Sequence, residues 1–250
     1  MRFAPLLLLL LAAPAPAVQQ APRGGAILVY SGTTGYRHDS IPAGIAALRG
    51  LAAERGLELE TSEDPAVFTP DRLRHYRAIV LLSSTTDPKD PSSEWLVGSR
   101  RDALQGFVQR GGGVLAVHAA ADSHYHWPWY GRLIGGRFAR HPDGTPRGRV
   151  ELARPSHPAN RGLAASVERT DEWYYFDDFD PRSRILATID PASIGEADVN
   201  PNPVAWARTV DGGRVFYTAM GHTRESFSEP WFLSHLGNGL DWVLARRSGR

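Results

Sequence analysis

The side chains best suited to chemistry in this chain of 250 residues are His38, His118, the Asp171-Glu172 pair and His222. An imidazole can act as base, acid or metal ligand near neutral pH. Two or three imidazoles with a carboxylate form the donor set of a zinc- or manganese-type site. Taken singly, each has a plain structural alternative. His38 beside Asp39 reads equally as support for a helix start, His222 as a junction before the last helix, and Asp171-Glu172 as a cap before an apolar strand. What unites them is placement at strand ends or in loops that can share one rim.

The element that must position His118 is the clearest in the chain. Gly111-Gly112-Gly113 stops a helix, Val114 to Val117 is an unbroken apolar run, and His118 ends it. A short apolar run bounded by glycine is the pattern of a strand buried on both faces. In an open parallel sheet, ligands bind outside the carboxyl ends of such strands. Ala26–Tyr30 and Ala78–Leu82 are similar runs, ending in the polar stretches Ser31 to Ser40 and Ser83 to Asp87.

Between them, Ile41, Ile45, Leu48 and Ala52 make one helical stripe, with Asp39 or Ser40 as N-cap, Pro42 in the first turn and Gly56 as the stop. Leu57–Glu60 alternates as an exposed edge strand, and Val97, Leu104 and Val108 predict a helix over Glu94–Arg110. This β-α-β-β-α-β order is that of a doubly wound sheet.

The second half is less regular. His124 to Tyr130 is an aromatic loop, with a small helix near Tyr130–Ile134. Strands are expected at Arg147–Leu152 and Arg184–Ile189, and a hairpin joins Pro203–Val210 to Arg214–Met220 across Asp211-Gly212-Gly213. A closing helix starts near Pro230 on Leu233, Leu236, Leu240 and Leu244, with Trp231 and Trp242 read as core. His124-x-His126 has the spacing of a chelating pair, but its aromatic and proline neighbours favour a loop, and His157 before Pro158 reads as a turn residue. Trp127, Trp129 and Trp173 are of the type that stacks on sugar rings. No repeat or linker divides residues 18–250, which read as one domain.

Composition narrows the function. A net charge of +1 without a long single-sign run gives no nucleic-acid footprint. The absence of cysteine excludes a thiolate nucleophile and thiolate-ligated metals. There is no Gly-x-Ser-x-Gly elbow, phosphate-binding loop or dinucleotide fingerprint, so no nucleotide cofactor is expected. Met1-Arg2-Phe3, the apolar run Leu6–Ala13 and Pro14-Ala15-Pro16-Ala17 read as a secretory signal over residues 1–17, too short to span a bilayer. The expected location is periplasmic or secreted, without stable membrane insertion once the signal is cleaved.

Gly112 to Asp122 as a whole resembles the central motif of the ThuA-like (trehalose utilisation) family. So do Trp129-Tyr130-Gly131 with Gly135-Gly136-x-Phe138, His141-Pro142, His157-Pro158, Asp171-Glu172-Trp173-Tyr174, Pro203-Val204-Ala205-Trp206, and Gly213-Arg214-Val215-Phe216-Tyr217 followed by Gly221-His222. The resemblance implies a class I glutamine-amidotransferase-like fold, a flavodoxin-like three-layer α/β sandwich with a mainly parallel sheet. It places His118 where amidotransferases carry their cysteine, in accord with a chain that has none. Glutamine hydrolysis is therefore not expected.

The family's link to disaccharide catabolism through 3-keto sugars implies an enzyme acting on a keto-sugar or glycoside, by isomerisation or eliminative cleavage. In that reading Glu172 is the base, and His118 and His222 hold the oxyanion directly or through a divalent metal, zinc or manganese. His38 is a further ligand or proton carrier, Asp122 an orienting partner, and Tyr125, Trp129, His141 and Trp173 contact the sugar. The expected partner is a small-molecule sugar, and a homo-oligomer is compatible with it. The alternatives are a carbohydrate-binding protein without catalysis and a metal-dependent hydrolase of another small molecule.

Overall fold

The apolar runs become inner strands of a nine-stranded sheet in a computed structural model that describes residues 25–197 and 202–245. The signal at 1–17 lies outside the described residues. The first half winds through β1 (Ala26–Tyr30), α1 (Ile41–Glu54), β2 (Glu58–Ser62), a single-turn α2 (Pro70–Leu73), β3 (Tyr76–Leu82), α3 (Ser99–Gln109) and β4 (Gly113–Val117). The second comprises α4 (Pro128–Ile134), β5 (Arg137–Arg140), β6 (Arg147–Leu152), β7 (Ser166–Thr170), β8 (Tyr175–Asp177), β9 (Arg184–Ile189), β10 (Asn202–Val210), β11 (Gly213–Thr218) and α5 (Pro230–Leu244).

The sheet runs in the order β2-β1-β3-β4-β11-β10-β9-β6-β7, and β5 pairs with β8 in a separate two-stranded sheet. From β2 to β11 the pairing is parallel. From β11 to β7 it is antiparallel, beginning at the β10–β11 hairpin. Asp211 and Gly212 turn that hairpin with φ of 47° and 105°, the double positive φ of a two-residue type I′ turn. The expected α/β sandwich is present, with β2 at the edge. Successive residues of β11 reveal the two faces. Phe216 packs on His235 of α5, whereas Tyr217 lies against Trp206, whose indole N–H donates to the carbonyl of Ile134 in α4.

Three local readings are corrected. The third helix begins at Ser99 and not at Glu94, because Gly98 takes φ 53°, ψ −130°, a conformation no helix can run through. Val97 is exposed ahead of it, while Glu94 turns its carboxylate inward to Arg101 and the backbone of His126. Trp231 and Trp242 are only partly buried, at the margin of the core. Their indoles cover the surface, Trp231 donating to the carbonyl of Ala164 and Trp242 lying under the Arg214 guanidinium.

Candidate metal centre

β4 ends at Val117, and the next residue, His118, takes φ 51° as the chain turns into a 3-10 segment over His118–Ala121. A left-handed conformation at a residue other than glycine is uncommon and is found at functional turns. The three alanines that follow are buried. Their small size lets the turn pack tightly and raises the imidazole at the carboxyl end of the strand. The Tyr217 hydroxyl donates to the His118 carbonyl at 2.9 Å, tying this elbow to β11. The His118 Nδ1–H donates to the Ala219 carbonyl at 2.6 Å. A carbonyl only accepts, so the proton sits on Nδ1 and Nε2 presents its lone pair.

Three other loops bring their side chains to that lone pair: the one after β1 carries His38, the one after β7 carries Glu172, and the one after β11 carries His222. Ser40, at the start of α1, does not cap the helix with its hydroxyl but donates it to the Gly221 carbonyl at 3.0 Å, joining the first and third of these loops. Glu172 Oε2 lies 3.1 Å from His222 Nδ1 and 3.5 Å from His118 Nε2, and the two imidazole nitrogens are 3.2 Å apart. With His38, the four donors lie within 4.8 Å of one another. The three rings are mutually near-perpendicular, with centroids 4.8, 5.1 and 5.2 Å apart. Donors about 2.0 Å from a tetrahedral zinc stand about 3.3 Å from one another. The Glu172–His118–His222 triangle has about that spacing.

The electrostatics suit a cation. Burial first, then the neighbouring His118 and His222, push His38 down to about 2, so it stays neutral, and its buried Nδ1 has no partner. Burial raises Glu172, but its contacts with the His118 and His222 imidazoles outweigh it and hold the carboxyl well below the usual carboxylate range. The hydrogen bond to Glu172 raises His222 against the opposing effect of burial. A neutral His38, a His118 of fixed tautomer and an ionised Glu172 are in the forms in which these groups ligate a divalent metal, and His222 would give up its proton on binding one.

Asp171 builds the site without facing it. Its buried carboxylate accepts the backbone N–H groups of Glu172, Gly221 and His222 at 3.0, 2.8 and 2.9 Å. It is held in turn by Arg169 at 2.8 Å, in a pair with almost no exposure, and by Ser226 at 3.1 Å. Tyr174 packs its ring on His118 with centroids 4.4 Å apart. Sequence reasoning missed both roles; two adjacent carboxylates before an aromatic pair were the available signal.

Of the other residues singled out, two border the centre directly or through it. His141 points Nε2 at Glu172 Oε1, 3.4 Å away, and donates its Nδ1–H to the Pro142 carbonyl at 2.8 Å. Asp122 accepts the Tyr125 hydroxyl at 2.5 Å. Burial raises the Asp122 carboxyl, with the Tyr125 bond and nearby His118 pulling it back. Trp129 and Trp173 are not brought in. Trp129 donates to Asp211 at the hairpin turn, at the other end of β11, and Trp173 is fully buried with its N–H on the Pro146 carbonyl. His124 and His126 gather around Glu94, and His157 caps a 3-10 turn, as expected of loop and turn residues.

A family model described as trehalose utilisation, ThuA, matches residues 26–243. Among solved structures, a ThuA-like protein from Bacteroides uniformis superposes with a TM-score of 0.72 at 24% identity, over 93% of this chain and 95% of that one. A ThuA-like protein from Parabacteroides merdae gives 0.71 at 19% identity, over 89% and 90%. A glutamine amidotransferase from Thermotoga maritima gives 0.58 at 10% identity, over 89% and 99%, a likeness of fold alone. No significant match is found among curated proteins.

Proposed function

The chain belongs to the ThuA (trehalose utilisation) family, and from that premise we propose that it is an enzyme holding one divalent metal, zinc or manganese, and acting on a keto-sugar or its glycoside. The observation that carries this reading is the convergence of His38, His118, Glu172 and His222 within 4.8 Å at the carboxyl end of the parallel strands. Bound there, the metal would polarise a substrate carbonyl and stabilise the enediolate formed from it.

The remaining roles fall to side chains. The depressed pKa of Glu172 suits a ligand better than a base, so Glu172 would help hold the metal, while its Oε1 lies toward His141. The His141 Nδ1–H is committed to the Pro142 carbonyl, which frees Nε2 to accept a proton beside the Glu172 carboxylate. His141 therefore takes the hydrogen from the carbon next to the carbonyl, and its partial exposure lets the proton exchange with water. Returning the proton to the neighbouring carbon is isomerisation. Expelling a glycosidic oxygen one carbon further along is eliminative cleavage, and Asp122, whose carboxyl burial holds in the protonated form to higher pH than usual, supplies the proton to that oxygen.

A secretory signal over residues 1–17 would place this chemistry outside the cytoplasm. Among the described residues no helix is long and apolar enough to cross a membrane. A sugar-binding protein without catalysis would need aromatic surfaces but would have no use for four convergent donors. The test is turnover of a 3-keto-disaccharide by zinc- or manganese-loaded protein, followed by product analysis. Turnover that is lost on chelation and in His118→Ala supports the enzyme. Sugar binding without turnover in any metal form would replace it with the binding protein.

A further inference from the structure

Among the described residues the large apolar side chains left exposed are Val97, at 45%, and Tyr36, at 66%. Tyr36 stands at the mouth of the metal centre. Its ring meets that of His38 edge-on, with centroids 4.8 Å apart and planes at 86°, while His38 beneath it is only 4% exposed. The backbone under Tyr36 is pinned from several sides. The Thr85 hydroxyl donates to the Tyr36 carbonyl at 2.7 Å, the Thr34 N–H donates to the Thr85 carbonyl at 3.0 Å, and the Thr34 hydroxyl donates to the Ser93 carbonyl at 2.6 Å. Gly35 lies so close to Thr86 that a Cβ would sit 2.8 Å from its carbonyl oxygen. This loop holds an aromatic face out to solvent in a set position, which packing alone does not require.

A second aromatic surface borders the same centre. His141 is half-exposed, stacks on Phe138 with centroids 5.8 Å apart, and touches Glu172, as His222 does. His222 in turn meets His38 edge-on. Glu172 and His222 thus link the two exposed rings, His141 and Tyr36. A pyranose offers an apolar C–H face and an edge of hydroxyls, which matches an aromatic platform beside polar donors.

We propose that Tyr36 is the platform of a pyranose subsite at the mouth of the metal centre, stacking under a sugar ring while the ring's polar edge faces the histidine cluster. This rests on the reading of the centre given above and adds the residue that selects a ring over an open-chain ligand.

The test compares zinc-loaded wild type, Tyr36→Ala and Tyr36→Phe. Zinc content is measured by mass spectrometry, and binding of 3-keto-trehalose and of acyclic dihydroxyacetone by saturation-transfer NMR. The expected result is a loss of about tenfold or more in 3-keto-trehalose affinity for Tyr36→Ala, which corresponds to about 1.4 kcal/mol. Tyr36→Phe stays close to wild type, dihydroxyacetone binding is unchanged, and all three proteins carry the same zinc. Equal pyranoside affinity in wild type and Tyr36→Ala overturns the proposal, as does no pyranoside binding by a wild type that holds its zinc. A wild type that takes up no zinc instead defeats the reading of the centre, and pyranoside binding by that metal-free protein still decides the role of Tyr36.

Discussion

The Asp171 carboxylate accepts the backbone N–H of His222 at 2.9 Å and, through the same oxygen, that of Glu172 at 3.0 Å. One buried atom therefore sets two donor-bearing residues that arrive on separate loops. Its other oxygen is engaged by Arg169, Gly221 and Ser226.

Removing Asp171 leaves the buried Arg169 with Glu229 as its acidic partner among the described residues. Breaking a buried pair from one side costs about 3–5 kcal/mol. Asp171→Ala is expected to lose about 3 kcal/mol in urea denaturation. Any of it that folds will bind metal more weakly than wild type, since neither Glu172 nor His222 is then held. Unchanged stability and unchanged metal affinity would remove Asp171 from this role.

His141 makes a sharper separation. It touches Glu172 but lies outside the group of four donors. His141→Ala should keep its metal and lose turnover by about 100-fold or more, the usual scale for a general base. Metal content and kcat are measured on the same preparation. Loss of the metal would make His141 a ligand, and retained turnover would return the proton transfer to Glu172.

Acid stability is governed partly by a histidine outside the four-donor cluster. His235 is fully buried in α5 among Phe216, Trp231 and Phe232, and burial, with a smaller effect of Arg169, pushes it down to about 3. The unfolded chain protonates it near pH 6.5, whereas the folded chain keeps it neutral until about 3. Its neutral state therefore supports the fold fully above about pH 6.5, and this support is lost as pH falls toward 3. At pH 5 the loss is on the order of 2 kcal/mol. Unfolding free energies from urea denaturation at pH 7 and pH 5 should differ less in His235→Leu than in wild type by about that energy; an identical pH dependence contradicts the account.

The legible parts of the sequence were those where local rules and tertiary demands agree. Val114 to Val117 between glycines and His118 reads as a buried strand with a polar end, and Asp211-Gly212 reads as a turn because both positions need positive φ. The convergence of His38, His118, Glu172 and His222 was inferred from strand ends, and the geometry brings them together.

Elsewhere the deciding partner is distant. Glu94 has a good helix-forming side chain, yet Arg101 and the His126 backbone draw its carboxylate inward and the helix waits for Ser99. β7 is largely polar, and β5 and β8 are only four and three residues long, so they exist by pairing rather than by a pattern the sequence shows. Trp129 and Trp173 were chosen by residue type, but their N–H groups are used by Asp211 and Pro146. The exposure of Tyr36 has no sequence signature.

The central claim is that His38, His118, Glu172 and His222 hold a divalent metal, and metal content by mass spectrometry tests it most directly. Wild type, His118→Ala and His222→Ala are incubated with zinc or manganese and then dialysed. The account predicts about one ion per chain in the wild type, in line with a single four-donor site, and little in either variant. A wild type that stays metal-free with both ions, or variants that keep the ion as wild type does, would contradict it.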